Sequence, residues 1–355
     1  SLADQRCDVT SNSSTVPQSG YKACTPSTAN LLGKVFASNL DEYIQGKISL
    51  SSNLDIHAGV RNTNVNYDIQ SQISSARSGG SHFSKSTPMV GAVWKLNTVT
   101  NFYANYGKGF ETPTTAEIIY SAGGSTIPNL SLSPSTSDNY EIGVKTFLTN
   151  SIGINFALFK TNTENEIVTH DTTIGNTSYM NASKTSRQGV EASLNAKLDH
   201  NISIYGAYTF LDAQFDSNYS YVVNNVTNNV SQGNKIPGTY RQQIFGEVAW
   251  KYPELNFKTA LEARYNSKVY ATDTNINTVA NFGTNATAPS YTVFNLRAGF
   301  DQSLNSWKIS EFLKVENLFD KQYIGSVRIN DSNARYFEPS PGRNYLIGFN
   351  TTYQF

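Results

Sequence analysis

Much is scarce in this sequence. Of 355 residues only two are cysteine and two methionine, and Asp, Glu, Lys and Arg together reach just 15%, against ~25% in an ordinary soluble domain. The charges cancel, 27 basic against 27 acidic, which excludes the basic excess expected of a nucleic-acid binder. Long apolar runs are missing too. The longest, Met89–Trp94, has six residues with Gly91 inside it, far below the ~20 that a membrane-crossing helix needs. No initiator Met, basic n-region or apolar h-region stands at Ser1, so any signal peptide is expected to be removed or to lie upstream.

Catalytic signatures are equally scarce. There is no Gly-x-Ser-x-Gly elbow and no zincin helix. Gly107-x-Gly109 lacks the third glycine and following βαβ unit of a nucleotide fingerprint. His57 and His82 are isolated and no Cys-x-x-Cys exists, so zinc finds no ligand set. We expect no enzyme, no cofactor and no metal. Cys7 and Cys24, with 16 polar, Pro- and Ser-containing residues between them, are expected to pair as a disulfide in an oxidising compartment. Closing such a ring contributes roughly 3 kcal/mol.

What the sequence does have is aromatic weight and alternation. Its 21 Tyr and 19 Phe are too heavy an apolar load for a disordered chain. From about residue 41 to the end, apolar and polar residues alternate with period two. Tyr345, Ile347, Phe349, Thr351, Tyr353 and Phe355 oppose Asn344, Leu346, Gly348, Asn350, Thr352 and Gln354. Leu255, Phe257, Thr259, Leu261, Ala263 and Tyr265 oppose Asn256, Lys258, Ala260, Glu262 and Arg264. The fold class is therefore all-β, with about thirteen strands predicted near 41–51, 54–69, 85–96, 99–108, 138–148, 152–166, 178–198, 202–215, 238–252, 255–269, 289–300, 307–320 and 343–355. Tight polar turns such as Ser52-Asn53 and Pro253-Glu254 alternate with long polar loops, near 71–84, 110–136, 216–237, 270–288 and 321–342. Short turns at one end and long loops at the other, joined by strands of 10 to 15 residues, suit an antiparallel transmembrane β-barrel. With short turns in the periplasm, Cys7 and Cys24 fall outside the cell. The organisation expected is an extracellular loop region over 1–40 and a barrel over 41–355.

Five segments, in order, resemble the TonB-dependent outer-membrane receptors over roughly residues 40 to 355. They are Asn105-Tyr-Gly-Lys-Gly-Phe-Glu-Thr-Pro-Thr114 with Glu117; Leu132-Ser-Pro-Ser135 leading into Tyr140-Glu-Ile-Gly-Val-Lys145; Gln188-Gly-Val-Glu191; Val315-Glu-Asn-Leu-Phe-Asp320; and Tyr336-Phe-Glu-Pro-Ser-Pro-Gly-Arg-Asn-Tyr345. The terminal Tyr353-Gln354-Phe355 fits the aromatic end of such barrels. Within the family, Ala288 to Val293, Gly325-Ser-Val327 and Asn330-Asp-Ser-Asn333 resemble the YncD branch of putative iron-transport receptors, to which uptake of pyrroloquinoline quinone (PQQ) is attributed.

The resemblance implies a cell outer-membrane location (Gram-negative) and an uptake receptor for a scarce small compound, a PQQ-like anion or a ferric siderophore. A passive porin-like channel is the alternative. Bacterial barrels have even strand counts, so thirteen strands imply the C-terminal part of a longer protein. At ~24 residues per strand a 22-stranded barrel needs ~530 residues. The family's N-terminal plug, which couples to the TonB–ExbB–ExbD complex, is absent from this sequence. Further partners implied are outer-membrane lipid and lipopolysaccharide, and the barrel assembly machinery through Phe355; nucleic acid is not one, and a monomer is expected. An anionic cargo calls for cations and aromatics near the loops. Arg187, Arg264, Lys268, Arg328, Arg335 and Tyr336 are the candidates.

Overall fold

A computed structural model describes residues 2–7, 29–71, 75–119, 127–171, 177–223, 225–276, 286–331 and 333–354. One large antiparallel sheet forms the wall. Fourteen of its strands follow one another in chain order: β1 (Leu2–Cys7), β2 (Ala29–Ser49), β3 (Leu54–Ser71), β4 (Gly79–Lys95), β5 (Thr100–Glu111), β6 (Ser135–Thr149), β7 (Ile152–Asp171), β8 (Ser178–Leu198), β9 (Ile202–Phe215), β12 (Gln242–Tyr252), β13 (Phe257–Asn266), β16 (Tyr291–Leu304), β17 (Trp307–Glu316) and β20 (Asn344–Tyr353). The remaining strands decorate the long loops: a hairpin of β10 (Tyr219–Val223) and β11 (Val226–Val230), and the short pairs β14 (Val269–Tyr270) with β15 (Thr287–Ala288) and β18 (Ile324–Val327) with β19 (Phe337–Pro339). Among the described residues no helix is long and apolar enough to cross a membrane.

Two expectations are corrected at the N-terminus. The strand expected from 41 begins at Ala29, and Leu2–Cys7 pairs with it, so 1–40 is not loop throughout. Alternation hides this stretch because it is apolar on both faces. Phe36 and Leu40 are exposed, while Val35 packs inward on Val65, Tyr67, Ile69, Ile118 and Leu132. With fourteen wall strands among the described residues rather than thirteen, the odd count no longer argues for missing ones. Cys7 ends β1 opposite Ala29; its pairing with Cys24 lies outside the described residues.

Register sets the two faces. Leu261 stands opposite Val248 on one side and Leu296 on the other, and all three are exposed. Their neighbours Glu262, Glu247 and Asn295 form the next rung and bond one another through Arg297 and Asn295 Nδ2. The apolar face is the lipid side and the polar face the lumen. Near the short turns the lipid side carries paired aromatics. Ring centroids lie 5.6 Å apart in Trp94–Phe102, 5.6 Å in Trp250–Tyr252, 5.1 Å in Phe257–Phe300 and 4.9 Å in Trp307–Tyr353, a girdle at one membrane interface. The turns themselves use residues that tolerate a left-handed backbone: His200, Asn201, Asn256 and Asn305 have φ of 61°, 60°, 48° and 52°.

Candidate functional site

The motif residues build the frame first. Pro113 follows the end of β5, and its carbonyl accepts a hydrogen bond from Tyr67 Oη at 2.7 Å. The Thr114 amide donates to Glu117 Oε2 at 2.6 Å, starting the single helical turn α1 (Thr115–Ile118). Ile118, wholly buried, plugs this turn into the cluster on β3. Gly189 lies under the Phe159 ring and beside the Phe210 carbonyl, where a Cβ has no room. At the end of β17, Asn317 accepts from the Lys321 amide and donates to its carbonyl, both at 2.8 Å. Asp320 Oδ1 accepts the Arg343 amide at 2.9 Å, which ties the start of the last loop to its end.

Three long loops then interlock at the outer end of the wall. Tyr219 Oη, from the β10–β11 hairpin, donates to Asp273 Oδ2 at 2.7 Å. Asn330, from the β17–β20 loop, donates from Nδ2 to the same oxygen at 2.7 Å, while its Oδ1 accepts the Asp273 amide at 3.1 Å and the Tyr221 hydroxyl at 2.9 Å. Asn330 is 2% exposed with φ of 53°, a conformation asparagine tolerates. Burial pushes the Asp273 carboxyl up from its ordinary value, against the lowering effect of its Tyr219 and Asn330 bonds. The phenols of Tyr219 and Tyr221 are pushed up as well, first by burial and then by the Asp273 charge.

Beneath this clasp lies a cavity of about 650 Å³. Glu166, Val168, Thr169 and Tyr179 line one side, and Arg328, Asn330, Asp331 and Arg335 the other. Both arginines lean on one carboxylate: their Nε atoms stand 3.6 and 3.7 Å from Asp331. Asp331 also accepts the Asn333 and Arg335 amides at 2.9 and 3.1 Å. Glu338, on β19, is exposed and makes no ion pair among the described residues.

The other candidates disperse. Arg187 grips Glu166 with two bonds, at 3.1 and 2.9 Å, and so backs the cavity wall without lining it. Tyr336, 5% exposed, packs on Ala271 and Ala286 and gives its carbonyl to the Arg328 amide at 2.9 Å; its ring supports the loop from behind. Arg264 points into the lumen on β13 with no ion pair among the described residues. Lys268 sits elsewhere, its ammonium 5.3 Å from the Tyr270 ring centroid. Sequence reasoning missed Asp273, Asn330, Tyr219 and Tyr221 as the clasp.

Residues 8–318 match the family described as "TonB dependent receptor-like, beta-barrel". The chain belongs to that family. Its place is the cell outer membrane, and its members are transport proteins rather than enzymes. Similar folds occur in the siderophore receptor PiuA from Acinetobacter baumannii (20% identity, TM-score 0.72, 91% of this chain and 44% of that one). The ferric-catecholate import receptor Fiu from E. coli K12 gives 18% identity and TM-score 0.70, over 92% and 46%. For the ferric citrate transporter FecA the figures are 18% and 0.75, over 99% and 49%. The chain thus spans about half the length of these receptors and transporters. At such identities the likeness is one of fold.

Proposed function

We propose that the full-length protein is a TonB-coupled importer whose cargo is a small anionic compound, held in the cavity under the last loop. The carrying observation is that Arg328 and Arg335 both line this cavity and share one carboxylate, itself occupied by two backbone amides. Arg328 and Arg335 outnumber the one carboxylate they share, and a guanidinium fork fits carboxylates bidentately; the Asp273 carboxylate, also on the lining, is taken up by the Tyr219 and Asn330 donors. Arg187 neutralises Glu166 across the cavity and so removes a repulsive charge. Tyr336 fixes the backbone at Arg328, and Arg264 offers a further cation on the way down the lumen. A ferric siderophore with an acidic periphery fits this chemistry, and the similar folds named for siderophores, ferric catecholate and ferric citrate favour that class. A planar polycarboxylate such as PQQ, as in the YncD branch, satisfies the same cations. Energy reaches the cargo through a plug coupled to TonB–ExbB–ExbD, and assembly of the monomeric barrel uses the terminal Phe355.

The test is Arg328→Ala with Arg335→Ala in the full-length protein. Affinity for an anionic cargo should fall by roughly 2–5 kcal/mol, measured by calorimetry on protein that still runs as folded in cold detergent. Binding within threefold of the parent would mean that the arginines only order their loop.

A further inference from the structure

One charged side chain interrupts the lipid face where its neighbours are all apolar. Register carries that face from β16 to β17 through Leu296 opposite Val315 and Ala298 opposite Leu313, and the next rung pairs Phe300 with Glu311. Glu311 stands in turn opposite Phe349 on β20. It is exposed and makes no ion pair among the described residues. Phe300, Leu313, Ile347 and Phe349 around it are exposed and apolar. The carboxylate therefore faces the bilayer and not the lumen.

Aromatic residues mark both edges of the apolar band here. Trp307 and Tyr353 pair at the turn end; Tyr345 and the Phe294–Phe319 pair, with ring centroids 5.4 Å apart, stand at the loop end. Phe349, opposite Glu311, lies midway between Tyr345 and Tyr353 along β20. At ~3.3 Å per residue and a strand tilt of ~40°, Glu311 is about 10 Å from either aromatic row along the membrane normal. A charge at that depth costs the fold stability unless another group answers it. Three acids nearer the loops on the same face are answered. Asp138 pairs with Lys108 at 2.8 Å, Glu164 with Lys184 at 3.4 Å, and Asp212 with Lys235 at 2.7 Å.

We propose that Glu311 is the centre of a lateral docking surface for a different membrane-spanning protein, one that presents a lysine or arginine at mid-depth. Charge complementarity names the occupant. A second copy of this chain turned about a two-fold axis brings carboxylate against carboxylate, and the lipid-facing residues described on β13, β16, β17 and β20 include no cation to answer it. A strand beyond β20 stands two strand spacings, ~9.6 Å, from β17, with Phe349 between. The partner's cation meets Glu311, and its apolar side chains lie on Phe300, Leu313 and Phe349, which keeps lipid out of the ion pair. The inference rests on the outer-membrane placement and not on the identity of the cargo.

The full-length protein in intact outer membranes tests it, with a photoreactive phenylalanine analogue in place of Leu313 or Ile347, which face each other one rung above Glu311. The analogue in place of Val248, on the same face three wall strands away, is the control. Irradiation should join the first two positions to one other protein and leave the control without that adduct. Glu311→Gln removes the charge and keeps the shape; it should cut the yield roughly tenfold or more, while Glu311→Asp keeps the adduct. Mass spectrometry of the adduct locates the basic residue that faces Glu311. Glu311→Lys alone should lose the adduct, and glutamate in place of that basic residue in the partner should restore it. The same adduct at Val248, or a yield unchanged by Glu311→Gln, would overturn the proposal. An adduct only with lipid, or only with a second copy of this chain, would overturn it as well. Should Glu311→Lys fail to fold, the contrast between Glu311→Gln and Glu311→Asp decides.

Discussion

Asn330 and Asp273 show how much can hang on two side chains. A carboxylate buried between loops costs desolvation, and here two donors offset only part of it. The folded-state pKa of Asp273 is raised, so its stability contribution is fully present below the ordinary value of 3.8 and is lost as pH rises through the folded value. Amide protection factors, which remove the intrinsic pH dependence of exchange, should therefore rise in 219–223 and 328–331 on acidification from neutral pH toward 4. Asp273→Asn should abolish that slope while keeping one acceptor for Tyr219. A slope unchanged in the variant would assign it to another group. Gly189 makes a different demand. A methyl group there meets the Phe159 ring and the Phe210 carbonyl, so Gly189→Ala should cost about 1–3 kcal/mol, read as an earlier loss of the folded band on heating in detergent.

At the level of strands, the lumen and lipid faces separate neighbouring residues by consequence as well as direction. Leu261→Arg places a charge in the bilayer and should cost ~2–4 kcal/mol, while Glu262→Gln, one residue on, should cost far less. Urea titration of the refolded barrel in vesicles compares them, and equal losses would remove the face assignment. Alternation made this legible from sequence alone: β8 and β9 occur at 178–198 and 202–215 as expected. Between them, Asp199-His200-Asn201 supplies two left-handed positions that only a turn requires. Above the membrane the rule lapses. Val35 and Phe36 bury or expose opposite faces of one strand without polar relief, so the beginning of β2 was invisible to a period-two reading. The β10–β11 hairpin was hidden because its two five-residue strands, Tyr219–Val223 and Val226–Val230, are short and lie inside a long Asn-rich loop. The arginines of the cavity could be read as charge in a loop. The clasp could not, because its four residues come from three loops and meet only through tertiary contact.

Across the whole molecule, wall and mouth are built by different rules. Every wall strand pairs with its successor on the wall, whereas Tyr221 and Asn330 meet across a separation of 109 residues. Asn330→Ala should then loosen all three loops together, raising exchange in 219–223, 271–276 and 328–331, and leave the melting of the wall unchanged. The same contrast sets an order in time. Neighbouring strands close short loops and can be laid one hairpin after another. The bond between Tyr221 and Asn330 spans β12, β13, β16 and β17, and it can be tied only after all four are in place. A newly inserted barrel therefore passes through a stage with a finished wall and an unfastened mouth. A protease added from outside during assembly should cut the Tyr219–Val230 hairpin in that interval and not afterwards, so that resistance there marks the last step of folding.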